Sequence, residues 1–193
     1  MRILLILGHP DAGRFCGALA EAYARGANAH EVRRLYLGTL AFDPVLWKGF
    51  TEGQPLEPDL QTAQEAIRWA EHLVFVYPTW WGGLPALLKG FVDRVFLPGF
   101  AFAYHPGGLG WDRLLKGRTA HLITTMDAPV WYYRWVARAP GLRELRDSIL
   151  AFCGVKTTKT LLLGSVKRSD GERRTRWLAQ AEGLGRSLGI RED

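Results

Sequence analysis

Tyr77-Pro78-Thr79-Trp80-Trp81-Gly82-Gly83 joins two indoles to two glycines directly after an apolar run, His72 to Val76. Tryptophan is costly to expose, and glycine marks backbone that bends or comes close to something. Together they describe one wall of a slot for a planar ring, with main-chain amides free to reach ring heteroatoms. Either indole alone reads equally well as a core anchor. Two other stretches belong with this one. Gly8-His9-Pro10-Asp11-Ala12-Gly13 leads into a helical pattern that opens Arg14-Phe15-Cys16. A helix N-terminus offers unpaired N–H groups and partial positive charge, which suits a phosphate, and His9 and Arg14 add donors. The plain alternative is a turn with Asp11 as helix cap and Cys16 as a small buried hydrophobe. Thr124-Thr125-Met126-Asp127-Ala128-Pro129 supplies hydroxyls and amides, or is simply a polar turn. Trp131-Tyr132-Tyr133-Arg134-Trp135 follows at once. Aromatics at helical spacing usually serve core or interface, but this cluster also puts Tyr132 near the slot.

What is missing narrows the chemistry. The sequence holds no Ser/His/Asp or Cys/His arrangement in a supporting context, no metal-ligand cluster and no paired carboxylates in one loop. Lys89 and Asp93, four apart on a helical pattern, read as a solvated ion pair or an interface pair with Arg94. A flat slot, amides and a phosphate site with few acids or bases fit a site where a bound cofactor does the hard chemistry.

The elements that must position these loops can be read from periodicity. Ile3 to Leu7, Glu31 to Tyr36, Leu73 to Tyr77, Arg118 to Thr125 and Lys159 to Leu163 read as strands. Between them run helical patterns over 14–25, 59–70, 84–96, 142–152 and from 169 to 188. Pro85 suits the first turn of the third helix, Gly154 ends the fourth, and Ser169-Asp170-Gly171-Glu172 has capping-box spacing for the last. The irregular stretch 38–58 carries Phe42, Trp47 and Phe50 to tie it down. Alternating strands and helices predict an α/β fold with a five-stranded parallel sheet covered on both faces. The three loops then fall at the carboxyl edge of the strands, where such sheets bind ligands.

Composition sets outer bounds. A chain of 193 residues, 48% apolar with eight tryptophans, reads as one domain spanning 1–193 with a sizeable core. The net charge of +6 comes from scattered, arginine-rich positions without a long basic run. It favours phosphate-bearing cofactors over a nucleic-acid partner. Cys16 and Cys153 fit no metal spacing, and a reduced, cytoplasmic protein is expected. The apolar run at residues 3–7 is too short for a signal peptide or spanning helix, so no membrane insertion is expected.

At this point a resemblance enters. Pro78 to Phe96, followed by Gly99-Phe100-Ala101-Phe102, is similar almost position by position to the flavin loop and helix of the flavodoxin-like NAD(P)H:quinone oxidoreductase family. That family includes mammalian quinone reductases, bacterial modulator-of-drug-activity proteins and the ancillary proteins of potassium-efflux systems. Gly8-His9-Pro10, Phe42-Asp43-Pro44 and Thr124-Thr125 support it, and Thr125 to Tyr133 with Phe152-Cys153-Gly154 resembles a subgroup of small bacterial members. The resemblance implies a doubly wound sheet of order 2-1-3-4-5. It places His9, Arg14, Phe15 and Cys16 at the phosphate end of a flavin. It places Pro78, Thr79, Trp80, Trp81 and Gly82 along the ring, and the amides of Thr124, Thr125, Met126 and Asp127 at its pyrimidine edge. Tyr132 matches a tyrosine that faces the substrate, and Arg138 stands near the spacing at which the mammalian enzymes carry a histidine.

The chain also departs from that pattern. Arg14-Phe15-Cys16 replaces Ser-Phe-Asn, so charge replaces a hydroxyl. Thr124-Thr125-Met126-Asp127 replaces Thr-Thr-Gly-Gly, which would strain Met126 and Asp127 at positive φ unless the loop is reshaped. A member without the C-terminal extension of the mammalian enzymes is expected.

The implied activity is hydride transfer from NADH or NADPH through FMN, with FAD as the alternative, to a quinone-like acceptor by ping-pong kinetics. A different class of function, a flavin-binding regulatory subunit docking on a membrane transporter, is the alternative. A one-electron carrier of the flavodoxin type fits less well, because this chain is basic and lacks a hydroxyl-rich first loop. A homodimer is expected, burying exposed Trp or Phe near 42–50 and 96–102.

Overall fold

The computed structural model describes residues 1–189. Five parallel strands, β1 (Arg2–Leu7), β2 (Glu31–Tyr36), β3 (His72–Pro78), β6 (Thr119–Thr125) and β7 (Lys156–Leu163), form one sheet in the order β2-β1-β3-β6-β7. Counted alone, these five have the expected order 2-1-3-4-5. Their connections carry α1 (Phe15–Gly26), α2 (Pro58–Trp69) and α3 (Ala86–Val95). A helical run follows from α4 (Pro140–Arg143) through a π-helical stretch (Glu144–Leu150) to α5 (Ala151–Cys153), and α6 (Gly171–Arg186) closes the chain. A short antiparallel hairpin, β4 (Phe102–Tyr104) with β5 (Trp111–Arg113), lies outside the sheet.

The apolar runs form central strands because both faces of those strands are covered. Ile3, Leu5, Leu7, Val74 and Val76 pack with Leu19, Tyr23, Trp177 and Ala181 of α1 and α6. Leu4, Ile6, Leu73 and Phe75 point the other way, against Leu60, Ile67, Leu88, Phe91 and Val95 of α2 and α3. Successive side chains alternate between two cores, so the sequence shows unbroken hydrophobicity rather than alternation. The outer strands β2 and β7 have one poorly covered face and are correspondingly polar.

Several local expectations are corrected. Pro85 precedes α3 as its N-cap instead of sitting inside the first turn. Asp170, not Ser169, caps α6: its carboxylate accepts from the Arg173 amide at 2.7 Å, while the Ser169 hydroxyl donates to the Val166 carbonyl. Of the aromatics in 38–58, only Phe42 packs on the core, and Trp47 and Phe50 are exposed. Arg94 pins that segment. Its side chain is fully buried, and its guanidinium donates to the Glu57 carboxylate at 2.8 Å and to the carbonyls of Pro55 and Asp43. It is neither an interface residue nor part of the Lys89–Asp93 pair, which lies half-exposed at 2.8 Å. Phe96, Phe100 and Phe102 are also core residues, not exposed ones.

At the opposite end of the sheet from the three loops, His72 and His121 stack edge-on at 4.4 Å. Tyr23 Oη sits 2.8 Å from His121 Nδ1 and 3.3 Å from His72 Nε2, and Thr119 is 2.7 Å from His72 Nδ1. Burial pushes the two imidazoles down to about 3 and about 4, with His121 and His30 adding to the effect at His72, and Lys159 at His121. Between those values and the ordinary 6.5 the unfolded chain binds protons that the folded chain refuses. Stability is therefore complete above pH 6.5 and falls on acidification, by about 1.4 kcal/mol per pH unit for each histidine. Thermal melts from pH 7 to 4.5 should show a steeper fall in Tm for the native chain than for His72→Gln/His121→Gln. Equal slopes would contradict a buried neutral pair.

Candidate functional site

The sheet reverses its winding at β1, between β2 and β3, and the loops that leave β1, β3, β6 and β7 stand at that carboxyl edge. The loop after β3 is a tight turn. Trp80 and Gly83 exchange both backbone hydrogen bonds, at 3.2 and 2.9 Å, and the two residues between them lie at φ +52° (Trp81) and +79° (Gly82). This is a type I′ turn, which glycine and asparagine enter freely and a bulky residue enters at a cost. The turn is stapled from the side. The Gly82 carbonyl accepts from the Gly141 amide at 2.9 Å and from the Tyr133 hydroxyl at 3.3 Å, and that hydroxyl accepts in turn from the Leu142 amide. Contact is backbone on backbone: a Cβ on Gly141 would stand 2.7 Å from Gly83 Cα.

Trp81 is fully exposed at the tip, so no packing offsets its left-handed backbone, which costs about 1–2 kcal/mol. Trp81→Asn creates the Asn-Gly pair that type I′ turns favour. It should raise Tm by about 2–4 °C in a differential scanning experiment. An unchanged or lowered Tm would remove strain from the description of this turn.

A cleft of about 610 Å³ opens beside the turn. Thr79, Trp80, Trp81 and Gly82 form one side of it; Met126, Asp127 and Ala128 line it from the loop after β6, and Tyr132, Tyr133 and Ala137 from the following segment. Lys167, on the loop after β7, completes it. The first two loops are tied together beneath the cleft, where the Thr79 amide donates to the Thr125 carbonyl at 2.7 Å and the hydroxyls of Thr79 and Thr124 lie 2.8 Å apart. Thr124 and Thr125 are accordingly buried and spent on structure. Met126 is buried as well, and its amide donates to the Leu163 carbonyl. Neither Met126 nor Asp127 has positive φ, so this loop is reshaped. Asp127 accepts from the Lys167 amide at 3.1 Å and pairs with its ammonium at 3.0 Å. Among the described residues the amides of Trp81, Gly82 and Asp127 have no acceptor.

The loop after β1 is organised by Asp11. Its carboxylate accepts from the Gly13 amide and from Arg14 Nε at 2.7 Å, while its own amide donates to His9 Nδ1. The amide of Gly13 and the guanidinium of Arg14 together hold the Asp11 carboxyl below its ordinary range. Asp11 thus organises the loop but does not cap the helix: Arg14 occupies the cap position of α1 without a capping side-chain bond, so the first-turn amides at Phe15 and Cys16 are left for a ligand. The Phe15 ring packs toward Trp177 at 6.0 Å. Cys16 Sγ is buried 3.4 Å from Thr125 Oγ1, and burial pushes the thiol up to about 11. Only its backbone faces chemistry. His9 meets Trp80 edge-on at 5.6 Å and links this loop to the cleft.

Arg138 is not brought to the cleft. It lies at φ +59° and lines a separate hollow with Arg143, Glu144 and Asp147. Conversely, Lys167 and Tyr133 were not anticipated. A signal for Lys167 existed, since the fifth strand ends at the same edge as the others.

A family model described as flavodoxin-like fold matches residues 1–183. An uncharacterized NAD(P)H oxidoreductase of Haemophilus influenzae is 28% identical over 90% of this chain and 89% of its own length. NAD(P)H dehydrogenase [quinone] 1 of Rattus norvegicus is 25% identical over 92% of this chain and 73% of its own. Among solved structures, Smu.1420 from Streptococcus mutans UA159 superimposes with a TM-score of 0.81 at 30% identity, covering 97% of this chain and 100% of that one. An NAD(P)H:quinone oxidoreductase from Methanothermobacter marburgensis gives 0.83 at 26% identity, covering 100% and 99%. With the parallel sheet in 2-1-3-4-5 order and the cleft at its carboxyl edge, these matches show that the chain belongs to the flavodoxin-like fold family.

Proposed function

We propose that the chain is a flavin-dependent NAD(P)H oxidoreductase with a quinone or similar electrophile as acceptor, FMN as cofactor and FAD as the alternative. The observation that carries the proposal is the cleft: aromatic walls, unspent amides at Trp81, Gly82 and Asp127, and a single charge pair. Its size and mostly neutral lining suit a planar heteroaromatic. Relatives named as quinone dehydrogenases and quinone oxidoreductases support the reaction class.

A bound flavin would supply the two-electron chemistry between nicotinamide and the acceptor. The chain's own groups do the rest. The amides of Phe15 and Cys16, with His9 and Arg14 beside them, would hold the phosphate end, and Arg14 would share its guanidinium with Asp11. Pro78, Thr79, Trp80, Trp81 and Gly82 would line the ring. The pyrimidine edge falls to the Asp127 amide, because Thr124, Thr125 and Met126 are engaged elsewhere. Lys167 neutralises the Asp127 carboxylate, keeping a bare negative charge from that edge. The Tyr132 hydroxyl would donate toward negative charge developing in the cleft. Arg138 is assigned no step. One cleft used by two substrates in turn implies ping-pong kinetics.

We also propose a homodimer through Trp47, Phe50, Tyr104 and Leu109, exposed apolar residues of the 38–58 segment and the hairpin region. Initial velocities of NAD(P)H oxidation by FMN-loaded protein, at several concentrations of a water-soluble quinone, should give parallel double-reciprocal lines. Intersecting lines would remove the shared-cleft mechanism, and no quinone-dependent oxidation would remove the function.

A further inference from the structure

A second cavity lies at the amino end of the sheet, away from the loops that form the cleft. It encloses about 310 Å³ between two walls. Thr119, His121, Thr158 and Lys159 line it from the amino ends of β6 and β7, and Ser187 and Leu188 from the end of α6. His121 is only 3% exposed. Its Nδ1 is engaged by Tyr23, and its Nε2 has no hydrogen-bond partner among the described residues.

The distances around His121 decide where the protons sit. An O–H donor makes a shorter bond than an N–H donor, about 2.7–2.8 Å against about 2.9–3.0 Å. Thr119 Oγ1 lies 2.7 Å from His72 Nδ1, and Tyr23 Oη lies 2.8 Å from His121 Nδ1, so both hydroxyls donate. Tyr23 Oη then accepts from His72 Nε2 across the longer distance of 3.3 Å. These assignments put the proton of each neutral imidazole on Nε2. The run Thr119, His72, Tyr23, His121 is therefore polarised in one direction, each bond strengthening the next. It ends on the His121 N–H, a donor left for the cavity. One water would satisfy that donor, but the cavity has room for about ten at ~30 Å³ each.

We propose that this cavity binds a small carboxylate, with His121 Nε2–H as its hydrogen-bond donor. The site does not rest on the flavin reading. Charge favours an anion over a neutral acceptor. Among the described residues no acid lines the cavity, and the Lys159 charge adds to burial in holding the His121 imidazole neutral. Glu182, in the closing turns of α6, is paired with Arg186 at 2.7 Å. A helix C-terminus repels anions through its unpaired carbonyls, but those at the end of α6 are engaged. The carbonyls of Gly183 and Leu184 accept from the Ser187 amide and hydroxyl, that of Gly185 from the Leu188 amide, and that of Leu188 meets His30 Nε2 at 3.2 Å. A single N–H donor suits a carboxylate better than a phosphate, most of whose strong acceptor oxygens would go unanswered. The volume stands at the low end for ligand pockets, so the ligand is small.

The test follows the His121 ring-proton resonance of the native chain at neutral pH, assigned by its loss in His121→Gln. Acetate, lactate and succinate are titrated at constant ionic strength, with chloride, phosphate and acetamide as controls. At least one carboxylate should shift the resonance along a saturable curve and raise Tm, as a ligand of the folded state does. Ser187→Trp and Thr158→Trp change exposed positions that line the cavity, and in each an indole fills the space. Both should lose the saturable shift while keeping a near-native Tm. No saturable response to any of the three carboxylates overturns the proposal. An equal or stronger response to chloride, phosphate or acetamide does the same, because the carboxylate is then not what is read. Binding retained in either tryptophan variant that folds also overturns it, by placing the ligand elsewhere.

Discussion

Arg94→Met is expected to lower Tm by about 6–12 °C, corresponding to a loss of about 3 kcal/mol. Methionine fills most of the volume but donates nothing. The buried guanidinium serves the Glu57 carboxylate and the carbonyls of Pro55 and Asp43; both carbonyls lose this donor at once, while the carboxylate keeps the Asp43 amide at 3.1 Å. Removing one partner of a buried pair costs about 3–5 kcal/mol. The lower end applies because the Glu57 side chain is 29% exposed and regains some water. The damage should be regional. Arg94 is the polar tie between segment 38–58 and α3, where Phe42 also meets Phe91 edge-on at 6.3 Å and Pro44 lies against Gly90, at which a Cβ would meet it at 2.4 Å. Hydrogen exchange should therefore accelerate in 38–58 before β1 and β3. A Tm within about 2 °C of native, less than a 1 kcal/mol change would give, would show that the pair stabilises nothing.

Tyr132→Phe is expected to slow flavin reduction by NAD(P)H about a hundredfold without releasing the flavin. Tyr132 lines the cleft, and its hydroxyl has no hydrogen-bond partner among the described residues. It is therefore free to donate where charge develops, and one well-placed donor of this kind is worth roughly 3 kcal/mol. Tyr133→Phe separates catalysis from architecture. That hydroxyl holds the Gly82 carbonyl and the Leu142 amide, so its loss should loosen the Trp80–Gly83 turn and weaken flavin binding. Stopped-flow traces of Tyr132→Phe that match the native protein would take this residue out of the chemistry.

The central strands were legible because a strand covered on both faces must be apolar throughout, as Ile3 to Leu7 and Leu73 to Tyr77 are. The outer strand β7 was legible only from Lys159, because Lys156-Thr157-Thr158 is polar at the open edge of the sheet. The β4–β5 hairpin has three residues per strand among several glycines and offers no periodicity to read.

At the site, Trp80 and Trp81 could be placed because two indoles beside two glycines have no purpose in an ordinary turn. Arg94 could not. Beside Lys89 and Asp93 it looks like one more charge on a solvated face, and its partners lie 37 to 51 residues away. Arg138 was placed by spacing alone, and the left-handed backbone at Arg138 and Ala139 carries it off the cleft, φ +59° and +46°. Met126 shows the opposite limit: substituting a glycine by a larger residue was legible as a departure, but its remedy, burying the side chain and spending the amide on Leu163, depends on a neighbouring strand.

The central claim is that main chain and indole at the carboxyl edge of the sheet grip a flavin. Titration of the flavin-free, folded protein with FMN and with FAD, followed by tryptophan and flavin fluorescence, tests it most directly. Saturable, stoichiometric binding that quenches both signals, with a weaker response in Gly141→Val, is the predicted result. A folded protein that leaves both flavins free at excess concentration would contradict it.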